Sequence, residues 1–328
     1  MSKITHYGLG VIRWKRIGII ILGIGLSVLM WRVVRAAPLA APCPQPGWFP
    51  TTFGLKDHSV FWYNGFYYLI SIHINPEDRF AYGRSSDLCT WEELAPVLPQ
   101  RTPGAWDEMA IWAPFVYEEN GVYYLYYTGV THAYNQSIML ATSTNPADPA
   151  SWQTQDMIFQ PTHSDKVWDV LDTWSDCRDP TMLKIDSIYY LYYTGLDQAG
   201  GIVGVATASS PLGPWTDWGA ILTLTNGMAE SSTLASHGDS YYLFYHDTSQ
   251  GERFRIGPGP TGPWTDAYMF APGWAHEIWQ GQDGYEYTSF LTDYSVTISR
   301  LIWDTFYIPP RPFIGENVYH FMLPLIIR

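Results

Sequence analysis

Short aromatic-rich runs, each broken by a turn dipeptide, dominate the chain after its first 50 residues, and one word recurs among them. It reads Tyr67-Tyr68-Leu69, Tyr123-Tyr124-Leu125, Tyr189-Tyr190-Leu191 and Tyr241-Tyr242-Leu243, with a degenerate fifth copy at Tyr285-Glu286-Tyr287. Turn signals precede each copy: Asn64-Gly65, Asn120-Gly121, Asp186-Ser187, Gly238-Asp239 and Asp283-Gly284. The first tyrosines are 56, 66, 52 and 44 residues apart, the length of one four-stranded propeller blade with variable loops. In the first repeat, Ser59–Tyr63 is a β-rich run, Asn64-Gly65 a hairpin turn and Phe66–Ile70 the returning strand. Ala81–Ser86 follows as a third strand, and Trp91 closes the unit. Trp152, Trp215 and Trp264 close the next three. No long stretch carries a 3.6-residue period, so helix is nearly absent after residue 41. The expected fold is all-β: a five-bladed β-propeller of four-stranded antiparallel blades over residues 42–328. Its tyrosines and closing tryptophans are expected to fill the interfaces between blades.

Residues 1–41 read as a separate object. They hold Lys3, Arg13, Lys15, Arg16, Arg32 and Arg35 and no acidic residue, with an apolar run over 17–31 and small residues after it. That order is the one of a secretory signal peptide. The run is short for a membrane span of about 20 residues, although Arg32 and Arg35 leave an uncleaved membrane anchor as the alternative. The expected location is secreted or extracytoplasmic, with membrane contact only through a retained N-terminal segment. The five prolines between Ala37 and Pro50 suggest an extended lead-in.

Beyond residue 41 the chain carries 12 Lys and Arg against 31 Asp and Glu, a net charge of −19. An acidic surface of this kind argues against nucleic acid or an anionic membrane as partner, and it is compatible with neutral carbohydrate. A monomer is expected. The three cysteines, Cys43, Cys89 and Cys177, lack zinc-site spacing; at most one pair forms, and buried or incidental thiols are expected. Asn135-Gln136-Ser137 has the spacing of a glycosylation sequon.

Departures from the repeat carry the chemistry. A carboxylate stands at the first strand of three blades: Asp57 before His58-Ser59-Val60, Asp179 before Pro180-Thr181-Met182, and Glu230 before Ser231-Ser232-Thr233. First strands line the axis of a propeller, so the three are expected to meet in one funnel. Glycoside hydrolysis needs two carboxyl groups flanking the bond, one protonated and one ionised. A third acid nearby can raise a pKa by like-charge repulsion. An Asp before a strand also serves as a local turn former, so it is the coincidence at three blades that points to function.

With these motifs in place, the chain resembles the five-bladed propeller glycoside hydrolases of families 43 and 32. Asp57 matches their first-blade Asp. Trp112-Ala113-Pro114-Phe115-Val116 is similar to the Trp-Ala-Pro-Asp-Val word of family 43. Arg178-Asp179-Pro180 matches the Arg-Asp-Pro word of family 32, and Ala229-Glu230-Ser231 stands where both carry their acid. The resemblance covers residues 51–305. It implies Glu230 as general acid, Asp57 as general base (nucleophile in a family 32 mechanism) and Asp179 as the group that tunes the acid and orients the sugar. Arg178, Trp112, His58 and His276 are the implied substrate-binding residues, Trp112 as a stacking platform, with Trp174 and Trp106 as further aromatic candidates. No cofactor is required, although the resemblance implies a structural calcium near His276, reached through water. Glu277 is a further polar group of the funnel, which alternation would point away from His276. The expected activity is inverting cleavage of α-L-arabinofuranosyl or β-D-xylosyl linkages. The alternatives are a retaining β-fructosidase-like enzyme and a non-catalytic carbohydrate-binding propeller. His58, Phe115 and Ser231 depart from the family words and motivate the latter.

Overall fold

The computed structural model describes residues 45–271 and 273–303. The expected signal or anchor, Cys43 and the chain after Trp303 lie outside the described residues. Twenty strands form five four-stranded antiparallel sheets. The first, β1 (Gly47–Trp48), belongs to the last blade. Blade 1 is β2 (Gly54–Tyr63), β3 (Phe66–Ile74), β4 (Phe80–Ser85) and β5 (Glu92–Val97). Blade 2 is β6 (Ala110–Glu119), β7 (Val122–Val130), β8 (Gln136–Ser143) and β9 (Gln153–Phe159). Blade 3 is β10 (Cys177–Ile185), β11 (Ile188–Asp197), β12 (Gly200–Ala208) and β13 (Thr216–Leu224). Blade 4 is β14 (Ala229–His237), β15 (Ser240–Asp247), β16 (Gly251–Gly257) and β17 (Tyr268–Met269). Blade 5 is β18 (Trp274–Gln280), β19 (Glu286–Thr292) and β20 (Ser295–Arg300), completed on its outer edge by β1. One 3-10 turn, Pro149–Ser151, is the only helical element among the described residues.

The recurring word opens the second strand of each blade, and pairing gives it a fixed register: Leu69 lies opposite Val60, Leu125 opposite Val116, Leu191 opposite Met182 and Leu243 opposite Leu234. In blade 5 the equivalent residues are Glu286-Tyr287-Thr288, one later than the sequence suggests, because Ser289 pairs with Glu277 and Leu291 with Trp274.

The core is divided into five clusters, one at each seam between neighbouring blades. Phe61, Tyr68 and Tyr82 of blade 1 meet Val116, Tyr123 and Tyr127 of blade 2, and the pattern continues around the ring. Three tyrosines also donate across a seam to a proline carbonyl: Tyr82 to Pro146 at 2.6 Å, Tyr126 to Pro211 at 2.6 Å and Tyr192 to Pro260 at 3.0 Å. Burying the ring while satisfying its hydroxyl is what a flat interface between twisted sheets requires. The closing tryptophans behave as scaffold too. Trp152 packs edge-on against Phe61 and Trp215 against Tyr126, each in the preceding blade.

Part of the expected lead-in is structural. Gly47 and Trp48 pair with Thr297 and Val296, so the ring is closed by a strand from the opposite end of the described chain. Trp48 is 5% exposed and stacks on Trp91 at 6.0 Å. Its ring fills the space above Gly83, where an added Cβ would come within 3.0 Å. Cys89 is disulfide-bonded, which corrects the expectation of incidental thiols; Cys177 alone fits it, as a fully buried free thiol. Asn135 is 1% exposed and donates to the Val170 carbonyl, so the sequon is closed to a glycan.

Trp48→Ala should therefore loosen the ring at its closure. Truncating a buried tryptophan costs about 3–5 kcal/mol, which for a chain of this size is a fall in Tm on the order of 10 °C. Thermal unfolding followed by near-ultraviolet circular dichroism measures it, and a shift below about 2 °C would show that the clasp is dispensable.

Candidate active site

Every inner strand carries a β-bulge at the same place. Pairing slips between Lys56 and His58 in β2, Trp112 and Phe115 in β6, Arg178 and Thr181 in β10, Glu230 and Thr233 in β14, and Trp274 and Glu277 in β18. The register makes Asp57, Ala113, Asp179, Ser231 and Ala275 equivalent. The last four have left-handed backbones, with φ of 42°, 55°, 48° and 53°. A bulge bends the strand and re-aims its side chains, and all five of these residues line one axial cavity. The carboxylates therefore lie within the strands rather than ahead of them. Glu230 is not equivalent to the two aspartates: it sits one residue earlier, opposite His246, in the place held by Arg178 in blade 3 and Trp112 in blade 2.

That offset lets Ser231 join the acids. Its hydroxyl donates to Asp57 Oδ1 at 2.9 Å, and its backbone N–H donates to Asp179 Oδ2 at 3.0 Å. Thr194 Oγ1 donates to the same Asp179 oxygen at 2.9 Å, and Thr128 Oγ1 accepts from the Asp179 N–H at 3.1 Å. Arg178 spans the group. Its Nη2 reaches Glu230 Oε1 at 2.6 Å, Nη1 reaches Gln136 Oε1 at 3.2 Å and also Asp176, and Nε lies 3.8 Å from Asp179 Oδ2. Both Arg178 and Asp179 are buried, whereas the Glu230 side chain is 32% exposed. Glu230 is thus the open member of the set, with one oxygen held by the guanidinium.

Burial pushes Asp57 up to about 7, with the Asp179 charge adding to the effect, the Ser231 hydrogen bond opposing it and Glu230 adding further. Asp179 is raised by burial too, against the pull of Arg178. Glu277 is pushed up to about 8 by burial, although Ser59 and the Val60 N–H stabilise its charge; the latter donates to Glu277 Oε2 at 3.1 Å. Glu277 and His276 both line the cavity. The bulge overrides the alternation that would separate them.

The two histidines are wall rather than mouth. His58 is 3% exposed, with Nε2 2.7 Å from Ser289 Oγ of blade 5. His276 is 2% exposed, lies between Phe270 and Phe290, and has Nδ1 3.0 Å from Thr288 Oγ1. Burial lowers both to about 3, so both are neutral. Each offers the cavity at most its unpaired nitrogen, His58 Nδ1 and His276 Nε2. Calcium takes six to eight oxygen ligands, and no group of three His, Cys, Asp or Glu converges to hold a metal among the described residues. A calcium reached through water would meet the protein at the unpaired His276 Nε2. Phe115 turns away from the axis and packs into the seam between blades 2 and 3, so its departure from the family word leaves the cavity lining unchanged.

Trp112 stands beside the bulge and is partly buried against the blade 1–2 seam. Trp106 likewise packs there and faces Trp168 at 6.3 Å. Trp174 is 51% exposed and its centroid lies 6.2 Å from that of Trp112. Sequence reasoning missed Ser231 as the bridge between the aspartates and Asp176 and Gln136 as partners of Arg178. Proximity in sequence to Glu230 and Arg178 was the available signal for the first two; Gln136 had none.

The raised acids have a stability consequence. Folded Asp57 keeps its proton to about pH 7, whereas the unfolded chain releases it near 4, so stability falls as pH rises through that window. Asp57→Asn removes the liability and keeps an acceptor for Ser231. Its Tm should exceed that of the native protein at pH 8 by more than at pH 4; equal differences at both would show that Asp57 titrates as an ordinary aspartate.

Comparison with known proteins agrees with this geometry. Residues 51–173 match the model of glycosyl hydrolases family 43. The chain is 27% identical over 180 residues to a probable arabinan endo-1,5-alpha-L-arabinosidase C of Aspergillus flavus, an alignment covering 51% of this chain and 54% of that protein; the chain thus spans about half the length of that relative. A thermostable family-43 glycoside hydrolase superposes with a TM-score of 0.62 at 18% identity, covering 81% of this chain and 98% of the other. A family-43 beta-xylosidase/alpha-arabinofuranosidase from a compost microbial metagenome does so with a TM-score of 0.59 at 17% identity, covering 85% and 98%. The chain is thus a five-bladed β-propeller, with three acids gathered around Ser231, that is similar to the glycosyl hydrolases of family 43.

Proposed function

We propose that the protein is a glycoside hydrolase that cleaves arabinosyl or xylosyl linkages with Glu230 as proton donor and Asp57 as the base that activates water. The observation that carries this reading is the unequal placement of three acids around Ser231. Glu230 is open and steered by Arg178, while Asp57 and Asp179 share one seryl residue at the cavity wall. A base works best when its pKa lies near the working pH, and Asp57 at about 7 meets that condition for neutral water. Burial is the main cause of that rise, and Asp179, fixed by Thr194 and the Ser231 N–H, adds its charge to it. Glu230 Oε1 is held by Arg178, which leaves its other oxygen to face the glycosidic oxygen. The arabinan-directed relative and the xylosidase/arabinofuranosidase neighbour support the choice of pentosyl linkages.

Glu230→Gln should lower kcat about 10²–10⁴-fold on an arabino- or xylo-oligosaccharide. The loss should be smaller on a 4-nitrophenyl glycoside, whose leaving group departs without protonation. Wild type and variant that are equally inert on both, while still binding glycan, would identify a non-catalytic carbohydrate-binding propeller instead. The anomer of the first product, read by proton NMR, separates inversion from the retention of a fructosidase-like enzyme.

The pH profile tests the base. Activity should rise with pH through about 7 as Asp57 ionises. Asp179→Asn removes the neighbouring charge and should move that limb to lower pH while reducing the maximum; an unmoved limb would assign it to another group.

A further inference from the structure

Beside the carboxylates, two exposed aromatics form a feature that the hydrolytic chemistry does not use. Tyr134 and Trp174 are 44% and 51% exposed. They belong to different connections, yet their rings stack with centroids 5.6 Å apart and planes 21° apart. Trp174 also meets Trp112, tilted by 42°. The three rings thus form a continuous run from the bulge of β6 outward to solvent.

The backbone beneath this run is tightly specified. Tyr134 and Trp174 both have left-handed conformations, with φ of 62° and 76°. Bulky residues adopt these at a cost and keep them only where the surroundings over-determine them, which happens most often at ligand clamps and active sites. Here the Tyr134 N–H donates to the Thr131 carbonyl and the Trp174 N–H to the Ala133 carbonyl, each at 2.8 Å. Asn135 bridges to Ser175, and its buried amide donates to the Val170 carbonyl at 2.8 Å. The strain therefore presents two large rings to solvent instead of burying them, a costly arrangement for a merely structural loop.

We infer that Tyr134 and Trp174 form a stacking subsite for a neutral glycan chain extending from the cleaved linkage, so that the protein favours oligomeric over single-residue substrates. This rests on the hydrolase reading above. Rigid aromatic faces bind the apolar faces of sugar rings at little conformational cost, and the acidic chain offers no electrostatic reason for an anionic ligand. Continuity with the site fixes the direction. Trp174 Nε1 donates to Asp176 Oδ1 at 3.1 Å, Asp176 pairs with Arg178, and Arg178 holds Glu230. A chain stacked on Trp174 thus lies against the side of the site that holds the open carboxylate.

The test compares kcat/KM on an arabino-oligosaccharide of five or so units (or its xylo counterpart, whichever is cleaved) with that on the matching 4-nitrophenyl monoglycoside. Loss of one stacked ring should lower the oligosaccharide-to-aryl ratio about tenfold in Trp174→Ala, and by a similar factor in Tyr134→Ala. Trp174→Phe keeps a ring and deletes the bond to Asp176, so it should restore most of the ratio. If the Phe variant behaves as the Ala variant does, Trp174 acts by holding Asp176 and the subsite is refuted. Ratios unchanged in both Ala variants would refute it too and leave the ridge, with Val170 and Leu171 beside it, to a protein partner. Should the native protein cleave nothing, the hydrolase reading fails by itself. The subsite is then decided by affinity electrophoresis in arabinan or xylan gels, where native retardation must be lost in Trp174→Ala.

Discussion

One extra residue in each inner strand governs how this propeller meets its axis. A regular strand would send alternate side chains into the two seams of its blade, and the aromatic word in the second strands is built for that packing. The bulge breaks the ladder at one level of the ring and brings the equivalent residue of every blade to the axial cavity. Where only framework is needed, that residue is alanine, as at Ala113 and Ala275. Where chemistry is needed it is Asp57, Asp179 or Ser231. Four of the five accept a left-handed backbone to stand there, a strain that the seams on either side must hold.

Electrostatics follow from that placement. Two aspartates buried at one axis resist ionisation, and Ser231 is the small donor that serves both. Glu230 escapes the crowd because it precedes the bulge, in the place where blade 3 carries Arg178, and the two side chains meet across the boundary between blades. The same one-residue step therefore separates the aspartates that line the cavity from a partly exposed acid beside them. Arg178 is itself held by Asp176 and Gln136, so the position of the proton donor depends on β8, β10 and the connection between blades 2 and 3.

Much of this was legible from residues alone, and the gaps have definite causes. The Tyr-Tyr-Leu word fixed blade number and order because β-pairing converts its spacing directly into register. Asp57, Asp179 and Glu230 stood out because they interrupt a repeat. Their true relation did not, since nothing in the local sequence marks where a bulge takes its extra residue, and Glu230 looked equivalent to Asp179 when Ser231 is. His58 and His276 do line the cavity, but their burial and their hydroxyl partners Ser289 and Thr288 in blade 5 follow from the folded ring and are not marked in the local sequence. Strand β1 was invisible: two residues carry no periodicity, and only their pairing with Val296 and Thr297 defines them.

That clasp also sets a timetable. Gly47 is made early and its partner Thr297 near the end of the described chain, so β1 has no sheet to join through almost all of synthesis. Four blades can assemble in order from neighbouring segments, but the ring stays open until the last is complete. A waiting strand of ordinary length would offer a sticky edge to other nascent chains for all that time. A two-residue strand, anchored mainly by one tryptophan ring, offers very little edge, which makes brevity at the seam a safeguard against misassembly.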